Sequence, residues 1–108
     1  MSRAEVEELV FKALADGRRR RILDLLKAKP RTTGDLCSHF PELDRCTVMQ
    51  HLGILEQAGL VIVRREGRLR WNYLDPFPIK EIHDRWISPY AREAVELLAR
   101  LKRDLEDG

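Results

Sequence analysis

The chain has 108 residues, of which 44% are hydrophobic and 35% charged, and its formal net charge is +2. This length fits one domain (1–108) with one modest core and leaves no room for a separate catalytic domain. The composition is too apolar for a disordered chain, and no apolar run approaches the roughly 18 residues that a membrane-spanning helix needs. The acidic, amphipathic N-terminus is unlike a signal peptide, and the two cysteines cannot form a disulfide framework. We therefore expect a protein of the reducing cytoplasm.

The small net charge conceals an uneven distribution of charged residues. Residues 17–31 carry seven cations and one anion, and residues 44–73 carry five cations and three anions. The three remaining stretches, 1–16, 32–43 and 74–108, each sum to −2. Two basic central blocks between acidic flanks favour a polyanionic partner, although such runs are also typical of solvated helix faces.

The first third of the chain predicts three helices. Apolar residues recur at helical spacing over 4–14, which indicates an amphipathic first helix. Asp16 is a candidate N-cap for a second helix that runs to about Ala28. Thr32 is a candidate N-cap for a short third helix over 33–39.

The middle of the chain predicts a fourth helix followed by a β-hairpin. Asp44 is the candidate N-cap of that helix, Gly59 stands where a left-handed C-terminal cap is expected, and the stripe predicted to be buried is Val48, Leu52, Leu55 and Ala58. Residues 60–65 and 69–74 have strand patterns, and a glycine-centred turn joins them.

The remainder predicts a proline-bounded linker over 75–78 and then helix to the end, with Pro89 kinking or splitting it. The expected fold is therefore mainly α with a small two-stranded β-hairpin, a winged helix-turn-helix with added terminal helices. We divide it into an N-terminal helix (1–15), a DNA-binding core (16–74, with the wing at 60–74) and a C-terminal helical segment (79–106).

The fourth helix has the character of a base-reading helix. In a helix-turn-helix the second helix enters the major groove and its N-terminal residues face base edges. The residues at those positions are Arg45, Thr47, Gln50 and His51. Arginine can bind guanine and glutamine can bind adenine, whereas the alternative is a solvated polar face without function.

Arginines cluster in the hairpin and at the start of the second helix. We expect Arg65 and Arg68, beside the turn, to contact DNA, whereas Arg70 is equally consistent with charge protection of an edge strand. In the run 18–21, two of the four arginines must lie near the buried face. They can serve there as snorkelling stems or in intramolecular ion pairs.

The C-terminal segment carries near-heptad apolar spacing, a stripe too long to be buried entirely by so small a protein. Pairing with a second copy is the favoured interpretation, and a helix folded back over the wing is the alternative. The predicted dimer-interface residues are Val6, Leu9, Val10, Tyr90, Ala94, Leu97, Leu98 and Leu101.

Several segments resemble one family. Residues 11–23, FKALADGRRRRIL, resemble the opening F-K-A-L-x-D-x-x-R-R-x-I-L of ArsR/SmtB-type bacterial repressors. Residues 48–52 (VMQHL), 58–61 (AGLV) and 64–68 (RREGR) resemble that family's recognition helix and wing. The resemblance implies a homodimeric transcriptional repressor whose first and last helices form the dimer interface. It also implies that a metal or other ligand releases DNA in many members.

The metal sites of that family are not matched. Metal-sensing members carry Cys-x-Cys-Asp-Leu on the third helix, and the two cysteine positions here hold Thr32 and Gly34. A second family site pairs Asp/His with His/Glu on the C-terminal helix, where this chain has Glu81 and His83, then Ala94 and Leu97. We therefore expect no metal and no cofactor.

Two cysteines and two histidines lie close together in sequence at Cys37, His39, Cys46 and His51. Neither Cys-x-His nor Cys-x₄-His is a usual structural-zinc spacing, and small cysteines at helix ends are the simpler interpretation. A metal- or redox-responsive repressor using Cys37 and Cys46 remains an alternative.

The sequence predicts a sequence-specific DNA-binding transcriptional regulator. It would be a homodimeric repressor that occludes a pseudo-palindromic operator, with double-stranded DNA, a second copy and an unidentified small-molecule effector as partners. A winged-helix protein-interaction module without specific DNA binding is the alternative. An enzyme is not expected, because no activated nucleophile, phosphate-binding loop or acidic pair is recognisable.

Overall fold

The computed structural model describes residues 1–86 and 89–107, and for Pro89 and Tyr90 it describes the backbone only. The chain forms α1 (Arg3–Leu14), α2 (Gly17–Ala28), β1 (Arg31–Thr32), α3 (Thr33–Ser38), α4 (Arg45–Gln57), β2 (Val61–Glu66), β3 (Leu69–Leu74), α5 (Phe77–Trp86) and α6 (Pro89–Asp107). The fold is thus mainly helical, as the sequence predicts. None of the described helices combines the length and apolarity that crossing a bilayer requires.

The three predicted N-caps are confirmed. Asp16 Oδ1 accepts from the Arg18 N–H at 2.8 Å, Thr32 Oγ1 from the Asp35 N–H at 3.1 Å, and Asp44 Oδ1 from the Thr47 N–H at 2.7 Å. Each side chain satisfies a backbone donor that its helix leaves unpaired, which stabilises a helix by about 1 kcal/mol.

The end of α4 forms a Schellman motif around Gly59. Gly59 has φ +78, its N–H donates to the Glu56 carbonyl at 3.0 Å, and the Leu60 N–H donates to the Leu55 carbonyl at 2.9 Å. Glycine is suited to this site because a Cβ is strained at positive φ. The motif turns the chain directly into β2.

One hydrophobic core joins the helices to the base of the hairpin. The predicted buried stripe of α4 is confirmed, since these four side chains are 0–4% exposed. The core consists of Val10, Ala13, Ile22, Leu23, Leu26, Leu36, Phe40, Val48, Leu52, Leu55, Ala58, Leu60 and Val61.

The sheet has three strands in the order β1-β3-β2, all antiparallel, where the sequence predicts two. The additional strand, β1, is two residues long, too short for an alternating pattern. Asn72 of β3 connects these elements, because its buried Nδ2 donates to the Arg31 carbonyl at 3.2 Å and to Thr33 Oγ1 at 3.1 Å. The hairpin is thereby tied to the start of α3.

The C-terminal part differs from the prediction at the linker. Helix α5 begins at Phe77, inside the predicted linker 75–78, and Asp75 Oδ1 accepts the Phe77 N–H at 3.0 Å. Pro89 is the first residue of α6, a position where its missing N–H costs no hydrogen bond. The large apolar side chains of α6 from Val95 onward are 53–73% exposed, so α6 does not fold back over the wing.

Candidate nucleic-acid interface

The start of α4 presents polar side chains to solvent, and α4 is therefore called the recognition helix below. Arg45, its first residue, and Gln50 are exposed, whereas Thr47 is half-buried. Hydrogen bonds from the Thr47 backbone N–H and from its hydroxyl hold the pKa of Asp44 below its usual value. The Thr47 hydroxyl is thus engaged within the helix cap, while the side chains of Arg45 and Gln50 make no hydrogen bond within the described chain.

His51 does not lie on this surface, which contradicts the prediction that it contacts base edges. Its side chain faces α2, it is only 8% exposed, and its Nδ1 lies 3.3 Å from Nη1 of Arg19. Burial lowers the pKa of His51; the negative charge of Asp16 opposes this effect, while the positive charges of Arg19 and Arg18 reinforce it. His51 is a packing residue between two helices.

The β2–β3 hairpin, called the wing below, carries its arginines in two different environments. Gly67 at its tip has φ +60, and Arg64, Arg65 and Arg68 around it are exposed. Arg70 is instead half-buried and its Nη2 lies 2.9 Å from Oε2 of Glu56 on the recognition helix. The sequence left two interpretations of Arg70 open, DNA contact and charge protection of an edge strand. The structure matches neither, since Arg70 is bound to Glu56.

The arginine run 18–21 is largely used inside the molecule. Nε of Arg19 donates to the Ala13 carbonyl at 2.8 Å, and Nη1 of Arg20 donates to the Leu14 carbonyl at 2.6 Å. The guanidinium of Arg21 lies 4.9 Å from the centre of the Phe40 ring. Arg19 and Arg20 therefore satisfy the last carbonyls of α1, rather than forming the ion pairs considered above.

The three arginines that the sequence predicts to contact DNA have no side-chain partner within the described part of the chain. No side-chain hydrogen bond or ion pair engages Arg45, Arg65 or Arg68 anywhere in residues 1–86 and 89–107. Together with Gln50 they form an exposed set on two adjacent elements that the Arg70–Glu56 pair holds together. Such a set can bind base edges from the helix and phosphates from the wing.

The predicted dimer-interface residues divide into exposed and buried ones. Val6 is 40% exposed, Leu9 is half-buried, and the predicted set on α6 (Ala94, Leu97, Leu98 and Leu101) is exposed. Val10 is 1% exposed inside the core, so its assignment to an interface is wrong. Helical spacing places Val6, Leu9 and Val10 on one apolar stripe and does not separate core residues from interface residues. The side chain of Tyr90 lies outside the described part of the chain.

Sequence reasoning missed an aromatic contact between α1 and α5. Phe11 of α1 and Trp86 of α5 stack with ring centroids 6.0 Å apart, and both remain partly exposed, at 38% and 56%. Arg85 also pairs with Glu7, which ties α5 to α1. The Phe11–Trp86 contact thus joins α5 to α1 and leaves part of both aromatic rings exposed.

The cysteines and histidines considered as ligands are not arranged as a metal site. Cys37 is half-buried on α3, Cys46 is exposed on α4, and His39 contacts Arg31 and Asp35. Among the residues that the structure describes, no three His, Cys, Asp or Glu side chains are grouped to hold a metal ion.

Residues 14–64 match the family model of a helix-turn-helix domain. The chain is 44% identical over 66 residues to the transcriptional repressor SdpR of Bacillus subtilis (strain 168). This alignment covers 61% of this chain and 72% of that protein. It is 30% identical over 105 residues to the arsenic resistance transcriptional regulator ArsR1 of Pseudomonas putida, which covers 82% of this chain and 77% of that protein.

The fold is also similar to that of a solved regulator. The crystal structure of the ArsR family transcriptional regulator RHA00566 superimposes with a TM-score of 0.71 at 26% identity, covering 91% of this chain and 95% of that chain. The likeness therefore extends beyond the matched helix-turn-helix. All three of these proteins are transcriptional regulators. The comparisons therefore favour neither an interaction module without DNA binding nor an enzyme.

Proposed function

The chain belongs to the ArsR/SmtB family of DNA-binding transcriptional regulators, and we propose that it acts as a homodimeric repressor that occludes a pseudo-palindromic operator. The observation that carries this proposal is the contrast among the arginines. Arg19, Arg20 and Arg70 are bound inside the molecule, whereas Arg45 and Arg68 are exposed and unpaired on adjacent elements. Unpaired guanidinium groups at the start of a helix and at the tip of the wing are free to bind the regularly spaced phosphates and the base edges of DNA.

In the proposed complex, each side chain on this surface has a distinct role. Arg45 donates to O6 and N7 of a guanine, and Gln50 pairs with the N6/N7 edge of an adenine. Thr47, whose hydroxyl is engaged with Asp44, offers its methyl group. Arg65 and Arg68 of the wing bind phosphates or the minor groove beside the half-site, and this contact weakens as salt rises.

A second copy of the chain is the proposed partner of the exposed apolar surface. Leu97, Leu98 and Leu101 are 53–63% exposed on a 19-residue helix. An exposed apolar stripe of this length marks an interaction surface rather than a solvated helix. Pairing through α6 and through Val6 of α1 produces two-fold symmetry, and symmetric recognition helices require an inverted repeat.

The proposal includes no catalytic role, cofactor or metal, and it places the protein in the cytoplasm with the DNA that it regulates. The positions of the family's third-helix cysteine pair support this absence of metal, since they hold Thr32 and Gly34. Neither side chain is a soft thiolate ligand of the kind that such sites use.

The test is selection from a random double-stranded DNA library with purified protein at moderate salt, together with sedimentation to measure the oligomeric state. We expect a dimer and an enriched inverted repeat with half-sites about 34 Å apart, which is one turn of B-DNA. Retention of DNA without an enriched sequence would contradict specific recognition. A folded monomer that retains no DNA would overturn both parts of the proposal.

A further inference from the structure

Arg19 joins three backbone and side-chain groups from two different helices. Its Nε donates to the Ala13 carbonyl at 2.8 Å and its Nη2 donates to the Lys12 carbonyl at 2.9 Å, both at the end of α1. Its Nη1 lies 3.3 Å from Nδ1 of His51, in the middle of the recognition helix. One guanidinium therefore bridges α1, which belongs to the proposed dimer surface, and α4, which reads DNA.

The chemistry of the bridge fixes the state of His51. A guanidinium has only donors, so Nδ1 of His51 must accept and its ring proton must be on Nε2. Nε2 itself is buried and has no hydrogen-bond partner among the described residues. The ring is thus held on one side only, by Arg19. A second proton on His51 would place two cations against each other and break the contact.

The neighbouring arginine provides an internal comparison. Arg20 donates to the Leu14 carbonyl at 2.6 Å and so also satisfies the end of α1, but within the described chain its side chain makes no hydrogen bond to α4. Both residues stabilise a helix end, and only Arg19 continues to the recognition helix. Capping alone therefore does not account for the Arg19–His51 contact.

We propose that Arg19 and His51 form a positioning pair that fixes the recognition helix relative to α1 and thereby sets the half-site spacing that the dimer accepts. This inference rests on the proposed homodimeric repressor. In a symmetric dimer the distance between the two recognition helices is a property of the protein, because the angle between the dimer helices and the reading helices determines it. Neither residue touches DNA, so the pair acts on spacing and not on the bases of a half-site.

The first experiment measures binding to operators whose half-sites are identical and whose spacer differs by one base pair at a time. The variants are Arg19→Gln, His51→Phe and the double substitution, with Arg20→Gln as the matched control for charge and for the helix end. We expect Arg19→Gln and His51→Phe each to reduce the preference for the best spacer about tenfold, the scale of one hydrogen bond to a charged group. The double variant should resemble either single variant, and Arg20→Gln should retain the wild-type preference.

The second experiment measures the distance between α4 and α1 in the protein without DNA. Spin labels are attached to Cys46 on α4 and to Glu8→Cys on α1, in a Cys37→Ser background, with labelled chains diluted into unlabelled protein. We expect a narrow distance distribution in the parent and in Arg20→Gln, and a broad one in Arg19→Gln and His51→Phe. Distributions that stay narrow in all variants would overturn the positioning pair even if all variants lose stability.

The two experiments separate failure of the pair from failure of the repressor. If the parent protein has no spacer preference, the dimeric repressor proposal fails, and the intramolecular distances still decide whether Arg19 and His51 hold α4 against α1. If the parent discriminates spacers and the two substitutions leave that discrimination intact, the positioning pair is refuted and the repressor stands.

Discussion

The Arg70 guanidinium lies 2.9 Å from the Glu56 carboxylate and joins the second strand of the wing to the last turn of the recognition helix. The two residues are 14 positions apart, and the Schellman turn at Gly59 and the whole of β2 lie between them. Arg70 pairs with Arg65 across the hairpin, so the bound arginine and the exposed one are direct neighbours. The carboxylate of Glu56 therefore orients the wing and leaves Arg65 and Arg68 free.

We expect Glu56→Gln to lower the free energy of unfolding by about 0.5 kcal/mol, because a partly exposed ion pair contributes little. The Glu56 side chain is 48% exposed and that of Arg70 19%. Urea denaturation measures this difference, with Gln57→Ala at the adjacent exposed position as the control. A loss of several kcal/mol would mean that the pair is far more important to the fold than its exposure indicates.

Arg68→Ala should weaken binding to all duplexes by a similar factor and reduce the slope of log K against log salt by about 1, since one phosphate contact is lost. Arg70→Ala removes the same charge from the same hairpin, but this charge is bound to Glu56. Its salt slope should stay close to that of the wild type. Fluorescence anisotropy at several salt concentrations measures both slopes, and equal slopes for the two variants would contradict the division of the wing arginines.

Arg45→Ala should relax sequence preference at one position of each half-site, at a cost of about 1–3 kcal/mol in discrimination. The reason is that Arg45 is exposed at the first position of the recognition helix and is not bound within the described chain. Competition between matched and mismatched operators measures this cost, and Gln57→Ala, at the other end of the same helix, serves as the control. If Arg45→Ala discriminates like the wild type, the assignment of the base-reading residues is wrong.

Local patterns explain why much of the fold could be predicted. The caps at Asp16, Thr32 and Asp44 each involve a side chain and a backbone N–H within three residues. Gly59 ends α4 because the Schellman motif needs a residue at positive φ, and a glycine directly after the apolar stripe of a helix indicates that motif in the sequence. Such signals need no knowledge of the tertiary structure.

The parts that were missed depend on contacts between residues distant in sequence. Asn72 reaches Thr33 over 39 positions and the Arg31 carbonyl over 41, and the second contact holds the short strand β1 that no pattern revealed. Arg19 reaches His51 over 32 positions. One signal did exist for His51, since at 100° per residue it lies between Leu55 and Ala58 of the predicted buried stripe when α4 is viewed along its axis. Position 51 satisfies both the base-reading pattern and this burial pattern, and packing against α2 decides between them.

Leu101→Glu should convert the dimer to a monomer at micromolar concentration and abolish operator binding, because it places a charge within the apolar stripe of α6. Ile62→Glu is the matched control, since Ile62 of the wing and Leu101 are both 53% exposed. We expect Ile62→Glu to remain dimeric. Sedimentation velocity measures both, and a dimeric Leu101→Glu protein would place the interface elsewhere.

His51 should make stability depend on pH. Burial lowers the pKa of His51 in the folded protein below the ordinary value of 6.5, so the unfolded chain takes up the proton first as pH falls. The free energy of unfolding is therefore fully retained above about pH 6.5 and decreases as the pH falls toward the lowered pKa of the folded state. His51→Phe should flatten this dependence, because its ring does not titrate. Urea denaturation at several values between pH 5 and 8 provides the comparison, and an equal slope in the wild type and in His51→Phe would show that another group is responsible. The acidic caps cannot produce the same slope, since the pKa values of Asp16 and Asp44 lie below 3.8.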